Sequence, residues 1–274
     1  MKYIFFKTSI IITLIIIITS FSSFCKNDTK LYLRKGGNHL YLNDGNSELF
    51  WFNGVHSNDP NNIMFKELEN EFNNYVPDLV LVEGYRDKNI ELDRNKSILK
   101  GESSFTAYLA NKYKIDFLTV EPSEQYIANI LKSKYETKDI QAMITFRQLR
   151  QWQRESRNRI IIFDEMITGF IHKHTERMFE DFNLTIDFLY IQDILEPYLG
   201  YKITNENWLK VPARKFYKRK SSKLNKISLS VSDIRNNYLI NLIKEKKNKY
   251  HKIFIMMGFD HAKVIKKDLT KIYE

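Results

Sequence analysis

Asp78-Leu79-Val80-Leu81-Val82-Glu83-Gly84 sets four consecutive apolar residues between an acid on one side and an acid and a glycine on the other. A run this short, with turn signals at its end, reads as a strand buried on both faces. Three other stretches share the form. Leu49-Phe50-Trp51-Phe52 runs into Asn53-Gly54-Val55-His56, and Ile115-Asp116-Phe117-Leu118-Thr119-Val120 stops at Glu121-Pro122. The last, 252–257, ends at Gly258-Phe259-Asp260-His261. Helical patterns alternate with these runs, over 63–75, 104–113, 232–247 and from Ala262 onward. Near-continuous apolar strands between helices predict an α/β fold, a mainly parallel sheet flanked by helices.

Two further features complete the predicted architecture. A small amino-terminal hairpin is expected over 31–42, about the turn signal Gly36-Gly37-Asn38. A helical insertion is expected over about 124–198, with room for a short strand at 159–163. The stretch 208–228 is basic and poorly periodic and reads as a surface loop or lid. There is no internal repeat.

Composition narrows the class. The chain has 274 residues, 43% hydrophobic and 28% charged, which excludes collagen-like and globally disordered chains. One segment alone is apolar enough to enter a bilayer, which excludes a multi-span membrane protein. Nine glycines supply no glycine-rich phosphate loop, and a single cysteine supplies neither a disulfide framework nor a cysteine-based zinc site. The net charge of +10 is compatible with nucleic acid or an anionic membrane surface. Lysine, asparagine and isoleucine are abundant throughout, so the charge reads as general composition.

The amino terminus reads as an export signal over 1–24. Lys2 and Lys7 flank the start, residues 10–18 are almost wholly apolar, and Thr19, Ser20, Ser22 and Ser23 follow. Cys25 stands directly after this segment and resembles the acylated cysteine of bacterial lipoproteins. The expectation is an exported protein of the cell envelope, held to a membrane by its signal or a lipid anchor, with residues 25–274 as one domain.

Four polar groups share one kind of position. His56, Glu83, Glu121 and His261 each lie at or just past the carboxyl end of a predicted strand. In a parallel sheet those ends gather on one edge, where ligands bind. Two histidines with one or two carboxylates can hold a divalent metal, or run acid–base chemistry without one. Each alone could equally be a turn or cap residue. Glu121 before Pro122 suits a helix start. His39, His172, His174 and His251 carry no such pattern.

The order Gly54-Val55-His56, Leu79-Val80-Leu81-Val82-Glu83-Gly84, Ile234-Arg235-Asn236-Asn237-Tyr238-Leu239 and Gly258-Phe259-Asp260-His261 resembles the TraB/GumN and Tiki group. That group shares a superfamily with the erythromycin-esterase-like and ChaN-like haem-binding proteins. Asn53 occupies the glycine position of the first family motif, with Gly54 next to it, and Gly101-Glu102 also fits. The resemblance spans about 49–269. It implies an α/β fold with a helical insertion and a divalent-metal-dependent hydrolase of the protease or peptidase kind.

On that reading His56, Glu83 and His261 hold the metal, Glu121 is a candidate general base, and Arg235 stabilises an oxyanion or bridges to a carboxylate. A mixed nitrogen–oxygen set suits manganese, cobalt or zinc. The substrate would be a peptide or small molecule. The alternative is a non-catalytic lipoprotein that binds haem or another ligand in the ChaN manner, for which 16 tyrosines are available. The basic residues Lys210, Arg214, Lys215, Lys218, Arg219, Lys220, Lys223 and Lys226 read as a solvated surface. With an export signal, anionic lipid suits them better than nucleic acid.

Overall fold

A computed structural model describes residues 39–84, 89–156, 163, 165–170 and 187–274. The leader, Cys25, the 31–38 arm of the expected hairpin, most of 159–163, and both His172 and His174 lie outside the described residues.

Among the described residues five strands form one sheet: β1 (Leu40–Asn43), β2 (Glu48–Gly54), β3 (Leu79–Val82), β4 (Asp116–Thr119) and β5 (Lys252–Gly258). Their order is β1-β2-β5-β3-β4. β1 runs antiparallel to β2, and the β2–β5, β5–β3 and β3–β4 pairs are parallel. The molecule is therefore α/β, with a mainly parallel sheet flanked by helices. Residues 40–42, expected as the second arm of a hairpin over 31–42, are here the first arm of a hairpin with β2, Leu40 opposite Trp51 and Leu42 opposite Leu49. The turn is Asp44 to Ser47, where Asp44 Oδ1 accepts from the N–H groups of Asn46 (2.9 Å) and Ser47 (2.8 Å). Gly45 there has φ +88°, and Asp-Gly is the turn signal that places the hairpin.

The division of the chain gives two compact units. One runs up to Thr119 and resumes at Leu242–Glu274; the other is Val120–Asn241.

In the sheet unit, strand alternation sorts the core into two rows. Phe50, Phe254, Val80 and Phe117 stand in register across four strands, followed by Phe52, Met256 and Val82. Helix α1 (Ile63–Tyr75) brings Phe65, Leu68 and Phe72 to this row. Its start is fixed by Asn62, whose side chain accepts from Met64 N at 3.0 Å, and it ends at Val76 in left-handed conformation (φ 51°). Helices α2 (Arg94–Leu99) and α3 (Glu102–Lys112) lie between β3 and β4, and Phe105 and Leu109 of α3 join the same cluster. The alternate row, Leu49, Trp51, Leu79, Leu81, Ile253 and Ile255, is fully buried. Each buried large side chain of this kind stabilises the fold by about 1.5–3 kcal/mol. Trp51 keeps its indole N–H satisfied on Met257 O at 3.2 Å. The last helix, which follows β5 directly, packs on β2 and β5 and buries Ala262, Ile265 and Leu269.

The second unit is helical, as an insertion between β4 and β5. It contains α4 (Glu124–Lys132), α5 (Thr137–Glu155), α6 (Phe188–Leu199), a 3-10 turn at Trp208–Lys210, α7 (Ala213–Lys218) and the larger part of α8 (Lys223–Lys247). The division into units falls within α8. The terminal helix of the chain is α9 (Phe259–Ile272). Phe146, Trp152, Ile194, Leu195 and Trp208 belong to the core of this unit.

The stretch 208–228 departs from the expected surface loop. It is helical for most of its length, and Trp208, Val211, Ala213, Leu224 and Ile227 are buried. The buried Gln153 amide donates to the carbonyls of Trp208 (2.9 Å) and Val211 (2.8 Å). The periodicity is weak because the segment changes direction around Pro212 and at Ser221 (φ 70°), so no single helical period spans it.

Candidate active site

The β2 and β5 strands end in register, with Gly54 opposite Gly258, and β3 pairs Val82 with Met256. Being parallel, all three release their chains at one edge. His56 follows Gly54 by two residues, Glu83 follows Val82 directly, and His261 follows Gly258 by three. Gly54 leaves room for the Met256 side chain: a Cβ there would stand 2.1 Å from the Met256 methyl carbon, which would have to move aside.

Glu83 is held by three contacts. Its N–H donates to Met256 O (3.0 Å), its carbonyl accepts from Ser103 Oγ, and its Oε2 accepts from Gly258 N at 3.0 Å. Gly258 is the N-cap of α9, which has no side-chain cap of its own. The Glu83 carboxylate therefore serves the start of α9, where unpaired N–H groups and the helix dipole favour negative charge. Its Oε1 lies 3.8 Å from His261 Nε2, an electrostatic distance. Both side chains are mostly shielded, 19% exposed for His261 and 16% for Glu83.

His56 takes a different carboxylate. Its Nδ1 lies 2.5 Å from Glu102 Oε1, and Glu102 Oε2 accepts from Ser57 N at 3.3 Å. Glu102 opens α3 behind Gly101, whose φ of +103° only glycine adopts readily. An ionised carboxylate can only accept, so Nδ1 carries the proton of the neutral ring and Nε2 is the basic nitrogen. The imidazole is 84% exposed while Glu102 is buried. The sequence offered Glu102 only through its fit to the family motif. An acid opening a helix after glycine was its sole local signal.

Glu121 and Arg235 meet in the helical unit. Arg235 Nε donates to Glu121 Oε2 at 2.8 Å and Nη2 donates to Oε1, a two-point fork. Of the two roles open to Arg235, the carboxylate bridge is the contact made. Arg147 was not singled out by sequence. Its guanidinium, reached by solvent but crowded by protein atoms, is held below its ordinary pKa by desolvation first and by the like charge of Arg235 second.

The polar residues thus stand as three pairs: His56 with Glu102, His261 with Glu83, and Arg235 with Glu121. Among the described residues no three His, Cys, Asp or Glu side chains gather into a metal cage. His39 is structural, accepting from Asn53 N at 3.1 Å and stacked 4.3 Å from Phe52. His251 is tied to the Asn46 carbonyl at 3.0 Å. A cavity of about 390 Å³ opens elsewhere, by the amino ends of β2 and β5, lined in part by Tyr41, Glu48, Phe50, Tyr75 and Lys252.

Compared with family models, characterised proteins and solved structures, the chain matches none of them.

Proposed function

We propose that this chain is an exported hydrolase that works at the carboxyl edge of its sheet through two histidine–carboxylate pairs. The observation behind this reading is that β2 and β5, adjacent and in register, each deliver a histidine to that edge, and each histidine meets a carboxylate. His56 Nε2 takes a proton from water, and Glu102 at Nδ1 orients the ring and stabilises the imidazolium that forms. The hydroxide so formed bonds to the substrate carbonyl; as the carbonyl re-forms and the bond to the leaving group breaks, His261, protonated beside Glu83, gives that group its proton, and exchange with solvent then removes the proton from His56 and restores one to His261. The substrate is a peptide or a small molecule with a hydrolysable carbonyl.

The motif order that resembles the TraB/GumN and Tiki group supports a hydrolytic role. A divalent metal would call on His56, Glu83 and His261. Among the described residues His56 meets the Glu102 carboxylate and His261 that of Glu83, which fits two proton-transfer pairs, and the steps above are written for those pairs.

The test is hydrolysis of a peptide and ester panel by the purified chain, before and after chelation and with manganese restored. Activity that survives chelation and is lost in both His56→Ala and His261→Ala supports the reading. Folded variants with unchanged activity would overturn it. Activity that disappears on chelation and returns with manganese would replace the two pairs with a metal centre. A Soret band on haem titration, without hydrolysis, would favour the ligand-binding alternative.

A further inference from the structure

We infer that the basic face of residues 208–226 docks on the surface of an anionic phospholipid bilayer. The inference rests on the helical unit alone and is independent of the hydrolytic reading. No Asp or Glu occurs between Asn207 and Ser232, while eight Lys and Arg do. Lys223 is paired, with Asp139 and Glu136. Arg214, Lys215, Lys218, Arg219, Lys220 and Lys226 are exposed, and none forms an ion pair among the described residues.

A run of charge on a solvated loop would carry little information. This one is built into the fold. Its apolar residues point inward, Phe216 stacking on Phe146 with centroids 4.5 Å apart. Gln153 fixes the carbonyls of Trp208 and Val211. The Asn225 amide donates to Tyr217 O at 3.0 Å, and Ser222 Oγ to Phe216 O at 3.0 Å. Arg214 and Lys218 are one turn apart on α7 and share a face. The cations are therefore held in place by a packed interior.

The kind of partner follows from what accompanies the charge. Leu209 and Leu229, each 56% exposed, stand at the two ends of the basic span. Cations with exposed aliphatic side chains suit a headgroup layer above acyl chains. A nucleic-acid surface would reward exposed aromatics for stacking. Here Phe216 is stacked inward and Tyr217 is half-buried.

The test mixes the full chain with vesicles of phosphatidylcholine alone, or with an equal share of phosphatidylglycerol, and reads lysine acetylation by a neutral anhydride residue by residue. A basic side chain at an anionic surface gains ~1 kcal/mol, about fivefold. Lys215, Lys218 and Lys220 should react about fivefold more slowly on the anionic vesicles and recover in high salt. Lys263 and Lys266, exposed on α9, should not change. Equal rates on both vesicles at Lys215, Lys218 and Lys220 would overturn the proposal, as would uniform slowing of every lysine. Protection by duplex DNA without protection by anionic vesicles would overturn it in favour of nucleic acid.

Discussion

Glu83 and Glu121 follow neighbouring parallel strands, β3 and β4, and the protein uses them in opposite ways. Glu83, in the sheet unit, gives one oxygen to the backbone of α9 and turns the other toward an imidazole. Glu121, in the helical unit, has both oxygens in the fork of Arg235. An acid beside a histidine can take part in proton exchange. An acid beside an arginine cannot, because guanidinium does not give up its proton. Exposure does not separate the two acids, 16% for Glu83 and 12% for Glu121, so the difference lies in the partner. One unit presents groups that can titrate and the other holds a fixed ion pair.

The contrast can be broken by measurements of stability and activity together. The largest effect belongs to the sheet core. Phe254 is fully buried and lies against Phe50 (5.5 Å) and Phe72 (5.2 Å). Phe254→Ala should cost about 3–5 kcal/mol in urea unfolding. Arg235→Ala comes next, at about 2–3 kcal/mol, because it removes the two-point fork from a shielded Glu121. Arg235→Lys should recover less than half of that loss, since it restores charge without the fork. If Glu83→Gln proved as costly as Arg235→Ala, Glu83 would be structural and the contrast would fail.

A smaller effect concerns Asp44, which ties the β1–β2 turn to Lys247 of α8 at 2.5 Å. Burial raises its pKa, but the Lys247 ammonium and the N–H groups of Ser47 and Asn46 outweigh this and hold it below its ordinary value. A depressed folded-state pKa gives stability that is complete above the unfolded carboxylate range and lost as pH falls through the folded value. Asp44→Asn should therefore cost about 1–2 kcal/mol at neutral pH and nothing at the acid end of a melting-temperature series. His56→Ala should have the smallest effect on stability, about 1 kcal/mol or less, because the ring is exposed and the buried Glu102 keeps the Ser57 N–H when it loses the imidazole. On the proposed hydrolytic reading, activity should nevertheless be lost. A large stability loss there would mean that His56 props the fold.

The sheet was legible because its signals are local. β2, β3 and β5 are apolar runs closed by glycine or acid, and α1 occupies 63–75 as its period and its Asn62 cap dictate. Short α2 escaped notice, although Asp93 caps it by accepting from Lys96 N at 2.8 Å. The order of 208–228 was not legible because it depends on Gln153, far away in the chain. The site divided in the same way. Strand ends placed His56, Glu83 and His261 in advance. Which carboxylate meets which base did not follow, because Glu102 reaches His56 only through the seating of α3, and Arg235 reaches Glu121 across 114 positions.

The position of β5 has a consequence for how the chain is made. β5 is the last strand in sequence, yet it lies in the sheet between β2 and β3 and pairs with both. Until residues 252–258 are synthesised, β2 and β3 each keep an inner edge without a partner, and their apolar rows stay open to other chains. Sheet completion, and with it the meeting of His261 with Glu83, waits until β5 has been synthesised. A nascent chain stopped before Lys252 should be a client for chaperones and proteases.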